Sequence, residues 1–134
     1  MEEAAGQEGS VTDARPRRRI LVVDDQAEIV EVLRDHFESS YDIDSAGDGK
    51  KALARIRKHR PDLIVLDIRM PGVSGIDVLK TVKQNDPTLP VIVLTGNEDT
   101  AIAAEAVALG AFSYVPKPFD FNTLDHLVAI ALGG

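Results

Sequence analysis

The chain alternates short apolar runs with longer segments in which apolar residues recur every three or four positions. The short runs have the length of β-strands, and the longer segments are long enough for helices of several turns. Strands separated in this way by helices must run parallel and be joined by crossover connections. The five apolar runs are 20–24 (ILVVD), 41–45 (YDIDS), 62–67 (DLIVLD), 90–95 (PVIVLT) and 111–115 (AFSYV).

The longer segments carry their apolar residues on one helical face, which predicts five helices that pack against the sheet. The fold class is therefore α/β, a doubly wound five-stranded parallel sheet with helices on both faces. The positions at helical spacing are Ile29, Leu33 and Phe37, then Leu53 and Ile56, then Ile76, Leu79 and Val82, then Ile102, Ala106 and Leu109, and finally Leu124, Leu127, Val128 and Ala131.

The composition of each run predicts its place in the sheet. The first, third and fourth runs are almost wholly apolar, as expected of central strands that are buried on both faces. The run 41–45 alternates, and the run 111–115 is followed by Pro116, which cannot donate to a sheet ladder. We therefore expect these two strands at the edges.

With 134 residues, the chain has the length of one domain. Residues 1–18 contain few large apolar side chains and are expected to form a disordered tail, which leaves 19–134 as the folded domain. An arginine cluster ends this tail. We interpret it as a solvated leader rather than a phosphate-binding arm, because no aromatic residues accompany it. Its members are Arg15, Arg17, Arg18 and Arg19.

Composition argues against several functional classes. The chain has no cysteine, which removes disulfide and thiol chemistry, and its net charge of -7 argues against direct nucleic-acid binding. No run approaches the ~18 apolar residues of a membrane span. We expect a soluble, cytoplasmic protein with no membrane partner.

Polar residues follow the central strands at their carboxyl ends, where ligands bind in open α/β sheets. Asp24 and Asp25 end the first run, Asp67 the third and Thr95 the fourth, while Lys117 follows the fifth. Three carboxylates at one edge repel one another unless a cation lies among them, and Mg²⁺ prefers such oxygen ligands. A lysine and a hydroxyl beside them suit a phosphoryl group.

Each residue also has a simpler interpretation. Asp25 alone could be the N-cap of the first helix, Thr95 an ordinary strand residue and Lys117 a solvated surface lysine. Asp67 could have a structural partner, which a buried carboxylate would need. The coincidence of all four at one edge favours a functional site.

Residues 20 to about 132 resemble a response-regulator receiver domain, the phosphoacceptor module of two-component signalling. The resemblance is greatest to receivers of nitrogen-regulatory, enhancer-binding transcription factors. It implies the strand order 2-1-3-4-5 of flavodoxin and the chemotaxis regulator. The motifs are VVDD (22–25), LIVLDIRMPGVSG (63–75), VIVLTG (91–96) and YVPKPFD (114–120).

The resemblance implies that Asp67 accepts a phosphoryl group from a sensor histidine kinase or phosphotransfer protein. Asp25, Asp67 and the backbone carbonyl of Arg69 would bind Mg²⁺, or alternatively Mn²⁺, with Asp24 acting directly or through water. Thr95, Gly96 and Lys117 would bind the phosphoryl group, and the peptide between Lys117 and Pro118 would be cis. Arg69 and Asn97 would flank the path of the attacking water and tune the phosphoryl lifetime.

Thr95 and Tyr114 resemble the family's conformational pair, in which the threonine moves toward the phosphoryl group and the aromatic residue turns inward. On spacing alone, Tyr114 could instead be a half-buried tyrosine of an edge strand. The resemblance implies that the fourth helix, fifth strand and fifth helix form a surface for phosphorylation-dependent homodimerisation or an effector. The fourth helix is alanine-rich and is expected to shift readily.

Three alternatives remain open. An aspartate-nucleophile phosphatase of the haloacid-dehalogenase kind needs a general acid two residues past its nucleophile, where this chain has Arg69. A docking module that is not phosphorylated should have lost acidic or lysine positions, which this chain keeps. The chain could be a stand-alone receiver of a phosphorelay or a receiver excised from a transcriptional regulator. We do not expect a turnover enzyme.

Overall fold

The computed structural model describes residues 17–70, 72–96 and 99–133, in which five strands alternate with five helices as predicted. Most boundaries agree with the sequence prediction to within two residues. The elements are β1 (Arg19–Val23), α1 (Ala27–Phe37), β2 (Asp42–Ala46), α2 (Gly49–Lys58), β3 (Leu63–Asp67), α3 (Gly75–Asn85), β4 (Val91–Gly96), α4 (Thr100–Ala108), β5 (Ser113–Lys117) and α5 (Phe121–Ala131).

The strands form one parallel sheet in the order β2-β1-β3-β4-β5, which confirms the predicted fold class and both edge strands. The side chains of β3 are buried along its whole length, because both of its faces are covered. β5 begins two residues later than its apolar run and includes Pro116, opposite Thr95 of β4. An edge strand tolerates a proline there because one of its sides needs no ladder partner.

Two apolar cores lie on opposite faces of the sheet, because successive strand residues point to opposite sides. α1 and α5 cover one face, and α2, α3 and α4 cover the other. Burying each large aliphatic side chain contributes roughly 1.5–3 kcal/mol. The first core contains Leu33, Phe37, Leu124 and Val128 against Ile20, Val22, Val65, Ile92 and Leu94; the second contains Ala52, Val78, Leu79, Val82 and Ala106 against Leu21, Val23, Ile64, Leu66 and Val93.

The predicted N-terminal tail lies mostly outside the described residues. Arg17 and Arg18 are exposed, and the Arg17 guanidinium contacts the backbone carbonyl of Glu38 and lies 3.6 Å from the Asp42 carboxylate. Each helix in the described ranges is too short or too polar to cross a membrane.

Candidate functional site

The register of the sheet brings the predicted polar residues to one edge. Val23 pairs with Leu66, so the residues that follow them in sequence, Asp24 and Asp67, are neighbours across β1 and β3. On the other side of β3, β4 ends with Gly96 opposite Lys117. The carboxyl ends of these four strands therefore lie side by side at one edge of the sheet.

Three carboxylates form the acidic part of this site. Asp24, Asp25 and Asp67 each offer an oxygen atom, and these atoms lie within 4.8 Å of one another. Asp24 and Asp67 are buried, whereas Asp25 is exposed. Hard oxygen donors at this spacing, with one side open to solvent, fit a divalent cation such as Mg²⁺ or Mn²⁺.

Lys117 is the cation that faces these carboxylates. Its Nζ donates to Oδ2 of Asp24 across 3.0 Å and lies 3.4 Å from Oδ2 of Asp67. The ammonium also lies 3.3 Å from Oε1 of Gln26. One positive charge thus stands between two buried negative charges, which reduces their repulsion without cancelling it.

The Asp67 carboxylate is held by its own loop as well as by Lys117. The backbone N–H of Arg69 donates to Asp67 Oδ1 across 3.1 Å. Burial raises the pKa of Asp67, the Arg69 hydrogen bond opposes that rise, the nearby Asp24 carboxylate adds to it, and Lys117 lowers it. Because the net direction is upward, the ionised carboxylate is held in a site that disfavours its charge.

The N-cap of the first helix is Gln26 rather than Asp25. Gln26 has the N-cap position of α1, and its N–H donates to Oδ1 of Asp24 across 2.9 Å. The simpler interpretation of Asp25 as the N-cap is therefore wrong. Asp24 uses both carboxylate oxygens on protein partners, one on Gln26 and one on Lys117. Asp25 keeps its carboxylate at the solvent side of the cluster.

Thr95 is buried at the end of β4, while Tyr114 on β5 is 47% exposed. Between them lies a cleft of about 190 Å³ that is also lined by Gly96, Ala103 and Pro116. The threonine and the tyrosine thus line the same cleft.

The Arg69 side chain points to α4. Its Nε and Nη2 lie 2.6 Å from Oδ2 and Oδ1 of Asp99, which makes a two-pronged ion pair. Asp99 is the N-cap residue of α4, and Arg69 follows Asp67 by two positions. The ion pair therefore links the loop of the Asp67 carboxylate to the start of α4.

Three contributors were not identified from the sequence. Gln26 follows the paired aspartates, and Asp99 precedes the alanine-rich helix at a position where an N-cap could be expected. A Cβ at Gly75 would lie 2.5 Å from Cα of Ile68 and 2.6 Å from the carbonyl oxygen of Asp67. α3 therefore packs directly against the backbone that carries Asp67. The signal for this contact was the last glycine of the motif 63–75.

The peptide between Lys117 and Pro118 is cis, as the resemblance implied. β5 ends at Lys117, and α5 begins four residues later, after the N-cap Asp120.

A parallel sheet in this strand order, with three aspartates and a lysine at the carboxyl ends of its strands, defines the class of receiver domains. The family model described as response regulator receiver domain matches residues 20–129. The chain belongs to this family.

Curated relatives include transcriptional regulators. The chain is 40% identical over 103 residues to the alkaline phosphatase synthesis transcriptional regulatory protein PhoP of Bacillus subtilis, covering 76% of this chain and 43% of PhoP. It is 40% identical over 114 residues to the DNA-binding transcriptional regulator NtrC of Salmonella typhimurium, covering 84% and 24%. The predicted resemblance to nitrogen-regulatory receivers is confirmed. The chain spans less than half the length of these relatives.

Solved structures of response regulators share the fold of this chain. A response regulator receiver domain protein from Clostridium thermocellum superposes with a TM-score of 0.82 at 30% identity, covering 86% of this chain and 94% of that one. NtrX from Brucella abortus, solved in complex with ADP, gives a TM-score of 0.82 at 31% identity, covering 87% of this chain and 27% of NtrX.

Proposed function

We propose that residues 19–134 form a receiver domain that accepts a phosphoryl group on Asp67 from the phosphohistidine of a sensor kinase or phosphotransfer protein. The observation that carries this proposal is the meeting of Asp24, Asp25 and Asp67 with the Lys117 ammonium at one edge of the sheet. A buried carboxylate with a raised pKa and a fixed cation beside it is a typical nucleophile in phosphoryl transfer.

In the proposed reaction, a carboxylate oxygen of Asp67 attacks phosphorus in line with the bond to the donor's histidine nitrogen. The new O–P bond forms as the P–N bond breaks, and the nitrogen keeps the electron pair. The product is an acyl phosphate on Asp67. Transfer of this kind depends chiefly on positioning and on electrostatic stabilisation of the equatorial oxygens.

Asp25, Asp67 and the backbone carbonyl of Arg69 would hold Mg²⁺ or Mn²⁺, with Asp24 acting through water because its oxygens already bind Gln26 and Lys117. The cation would neutralise charge between the nucleophile and the incoming phosphoryl group. This arrangement accounts for an exposed Asp25 beside two buried carboxylates.

The phosphoryl group would be bound by residues from β4 and β5. Lys117 would exchange its contact with Asp67 for a phosphoryl oxygen, and the Thr95 hydroxyl would donate to another. Gly96, which has no side chain, would leave room for the group to enter beside Thr95. The 3.4 Å separation of Lys117 and Asp67 keeps the ammonium close enough for this exchange.

Phosphorylation would be read out through Thr95 and Tyr114. Movement of Thr95 toward the phosphoryl group would allow the Tyr114 ring to enter the cleft between them. The responding surface would comprise α4, β5 and α5. Large apolar side chains are exposed on or next to these elements, which supports a role in homodimerisation or effector binding. They are Val107, Phe112, Tyr114 and Ile130.

The output is proposed to be control of a transcriptional effector, by analogy with PhoP and NtrC, which are named as transcriptional regulators. A stand-alone receiver acting in a phosphorelay is the other form this function could take.

Incubation with acetyl phosphate tests the phosphoacceptor. The parent chain is expected to gain one phosphoryl group, seen as a mass increase, with Mg²⁺ and not with excess chelator. Asp67→Asn should not gain it. Labelling that persists in this variant would place the acceptor elsewhere, and steady turnover of p-nitrophenyl phosphate would indicate a phosphatase.

Sedimentation velocity tests the readout. Mg²⁺ with the phosphoryl mimic beryllofluoride is expected to convert the parent to a dimer, whereas Phe112→Ser should stay monomeric while still accepting a phosphoryl group. A parent that remains monomeric at high concentration would favour effector binding over homodimerisation.

A further inference from the structure

The N-terminus of α4 differs from those of the other helices whose N-cap residue is an aspartate or a serine. The N-cap side chains of α2, α3 and α5 accept hydrogen bonds from their own helices, from the N–H groups of residues 51, 77 and 122. Asp99 has the same position in α4 but makes no such bond. Its carboxylate is bound instead by the Arg69 guanidinium.

The backbone conformation of Asp99 also differs from that of the other N-cap residues. N-cap residues normally have extended backbone angles. The ψ angles at Asp48, Ser74 and Asp120 are 171°, 160° and 122°, whereas ψ at Asp99 is 45°. The first N–H groups of α4 therefore lack the side-chain acceptor that an aspartate could supply.

We propose that the Asp99 carboxylate is a two-position element, bound to Arg69 in the resting state and turned back to cap α4 when Asp67 is phosphorylated. This inference rests on the proposed function. The Arg69 side chain of this pair is 65% exposed. An ion pair open to solvent on one side and an N-cap contribute similar free energies, so modest perturbations can exchange one for the other. Asp99 and Arg69 are positioning residues in this scheme.

The location of Arg69 provides the link to phosphorylation. Its N–H is bonded to Asp67, so its backbone is tied to the phosphoacceptor. Phosphorylation replaces the single negative charge of the Asp67 carboxylate by the nearly two negative charges of a phosphoryl group, and this net gain of about one charge would compete with Asp99 for the guanidinium. Loss of that partner frees the Asp99 carboxylate to accept from the N–H of residue 101 or 102.

The packing of α4 makes a change at its first turn consequential. Its buried residues in the described part of the helix are two alanines, Ala103 and Ala106, and Ile102 packs against the core while partly exposed. So little buried apolar area holds the helix weakly, and its position depends on its end. Release of the ion pair would detach α4 from the phosphoacceptor loop as the cap forms.

Substitutions at Asp99 separate the two contacts. Asparagine caps helices as well as aspartate but cannot form the ion pair, whereas alanine does neither. Asp86→Asn is the matched control, because it removes a similar two-pronged pair, with Arg60, at the other end of the domain. The measurement is amide hydrogen exchange at residues 101 and 102, without phosphorylation and with Mg²⁺ and beryllofluoride.

We expect Asp99→Asn to slow this exchange about threefold or more without any phosphoryl mimic. Beryllofluoride should give the same slowing in the parent and in Asp86→Asn, and none in Asp99→Ala. Equal exchange in Asp99→Asn and Asp99→Ala would overturn the proposal. Failure of acetyl phosphate to label the parent would instead overturn the proposed function, because the comparison of the unphosphorylated variants does not depend on it.

Discussion

Lys117 lies 3.0 Å from Asp24, closer than its 3.4 Å approach to Asp67. Asp24 is the more deeply buried of the two carboxylates, so the ammonium first neutralises the charge that water cannot reach. The contact with Asp67 is longer and easier to exchange. The lysine therefore stabilises the fold through Asp24 and remains available to the proposed reaction through Asp67.

Replacement of Lys117 should destabilise the protein. Lys117→Met leaves two buried carboxylates side by side, and we expect the free energy of unfolding to fall by roughly 2 kcal/mol in metal-free buffer. Urea denaturation measures the loss, and added Mg²⁺ should restore part of it. Lys80→Met, on the exposed face of α3, is the control and should change stability by less than about 0.5 kcal/mol. Equal losses in the two variants would contradict a compensating role for Lys117.

Replacement of Asp67 should have the opposite effect on stability. Its pKa is raised above the ordinary value of 3.8, chiefly by burial, so the folded state binds a proton more tightly than the unfolded state. This contribution is fully present below pH 3.8 and is lost as pH rises through the folded pKa. Asp67→Asn has no carboxyl group to ionise and therefore does not lose this contribution to stability. At pH 7 without metal we expect it to be more stable than the parent by about 1 kcal/mol.

The difference between Asp67→Asn and the parent should shrink as pH falls toward 4, which urea denaturation across this range will measure. A difference that grows in acid would mean that the pKa of Asp67 is lowered in the folded protein.

The sheet was predictable because its signal is local and repeated. The apolar runs that became β1, β3 and β4 specify burial on both faces, and Pro116 marks an edge. The location of the candidate site was also predictable, because parallel strands end at the same edge of the sheet and this brings Asp67 and Lys117 together. The spacing of residues along the sequence does not predict which of two possible partners a side chain binds. Asp24 rather than Asp25 accepts from Gln26, and Asp99 binds Arg69 instead of capping its helix, because each depends on residues distant in sequence or on loop geometry.

Magnesium should stabilise the parent through Asp25. At a magnesium concentration ten times the dissociation constant, binding to the folded state adds about 1.4 kcal/mol. Asp25→Asn removes an exposed carboxylate from the cluster, so its stability without metal should not fall, while the magnesium response should be lost. Thermal unfolding with and without Mg²⁺ tests both parts. Glu28→Gln, at an exposed position of α1, should keep the full response.

Gly75 should tolerate no side chain. Its missing Cβ position is 2.5 Å from Ile68 Cα and 2.6 Å from the Asp67 carbonyl oxygen, and backbone atoms cannot move aside cheaply. Gly75→Ala is expected to lose about 3 kcal/mol and to slow labelling by acetyl phosphate, because the phosphoacceptor loop must shift. Gly47→Ala is the control, since a Cβ at that residue would have no atom within 4 Å. Normal labelling in Gly75→Ala would show that the loop accommodates the methyl group.

Tyr114 should become less accessible when the phosphoryl mimic binds. The chain has two tyrosines and no tryptophan, so Tyr41→Phe leaves Tyr114 as the source of tyrosine fluorescence. Tyr114 is 47% exposed and lines a cleft of about 190 Å³, into which its ring would turn. We expect acrylamide quenching to fall when Mg²⁺ and beryllofluoride are added, and to stay unchanged when Asp67 is also replaced by asparagine. If quenching does not change in the Asp67-containing protein, Thr95 and Tyr114 do not move together, and the signal must leave the site through α4 alone.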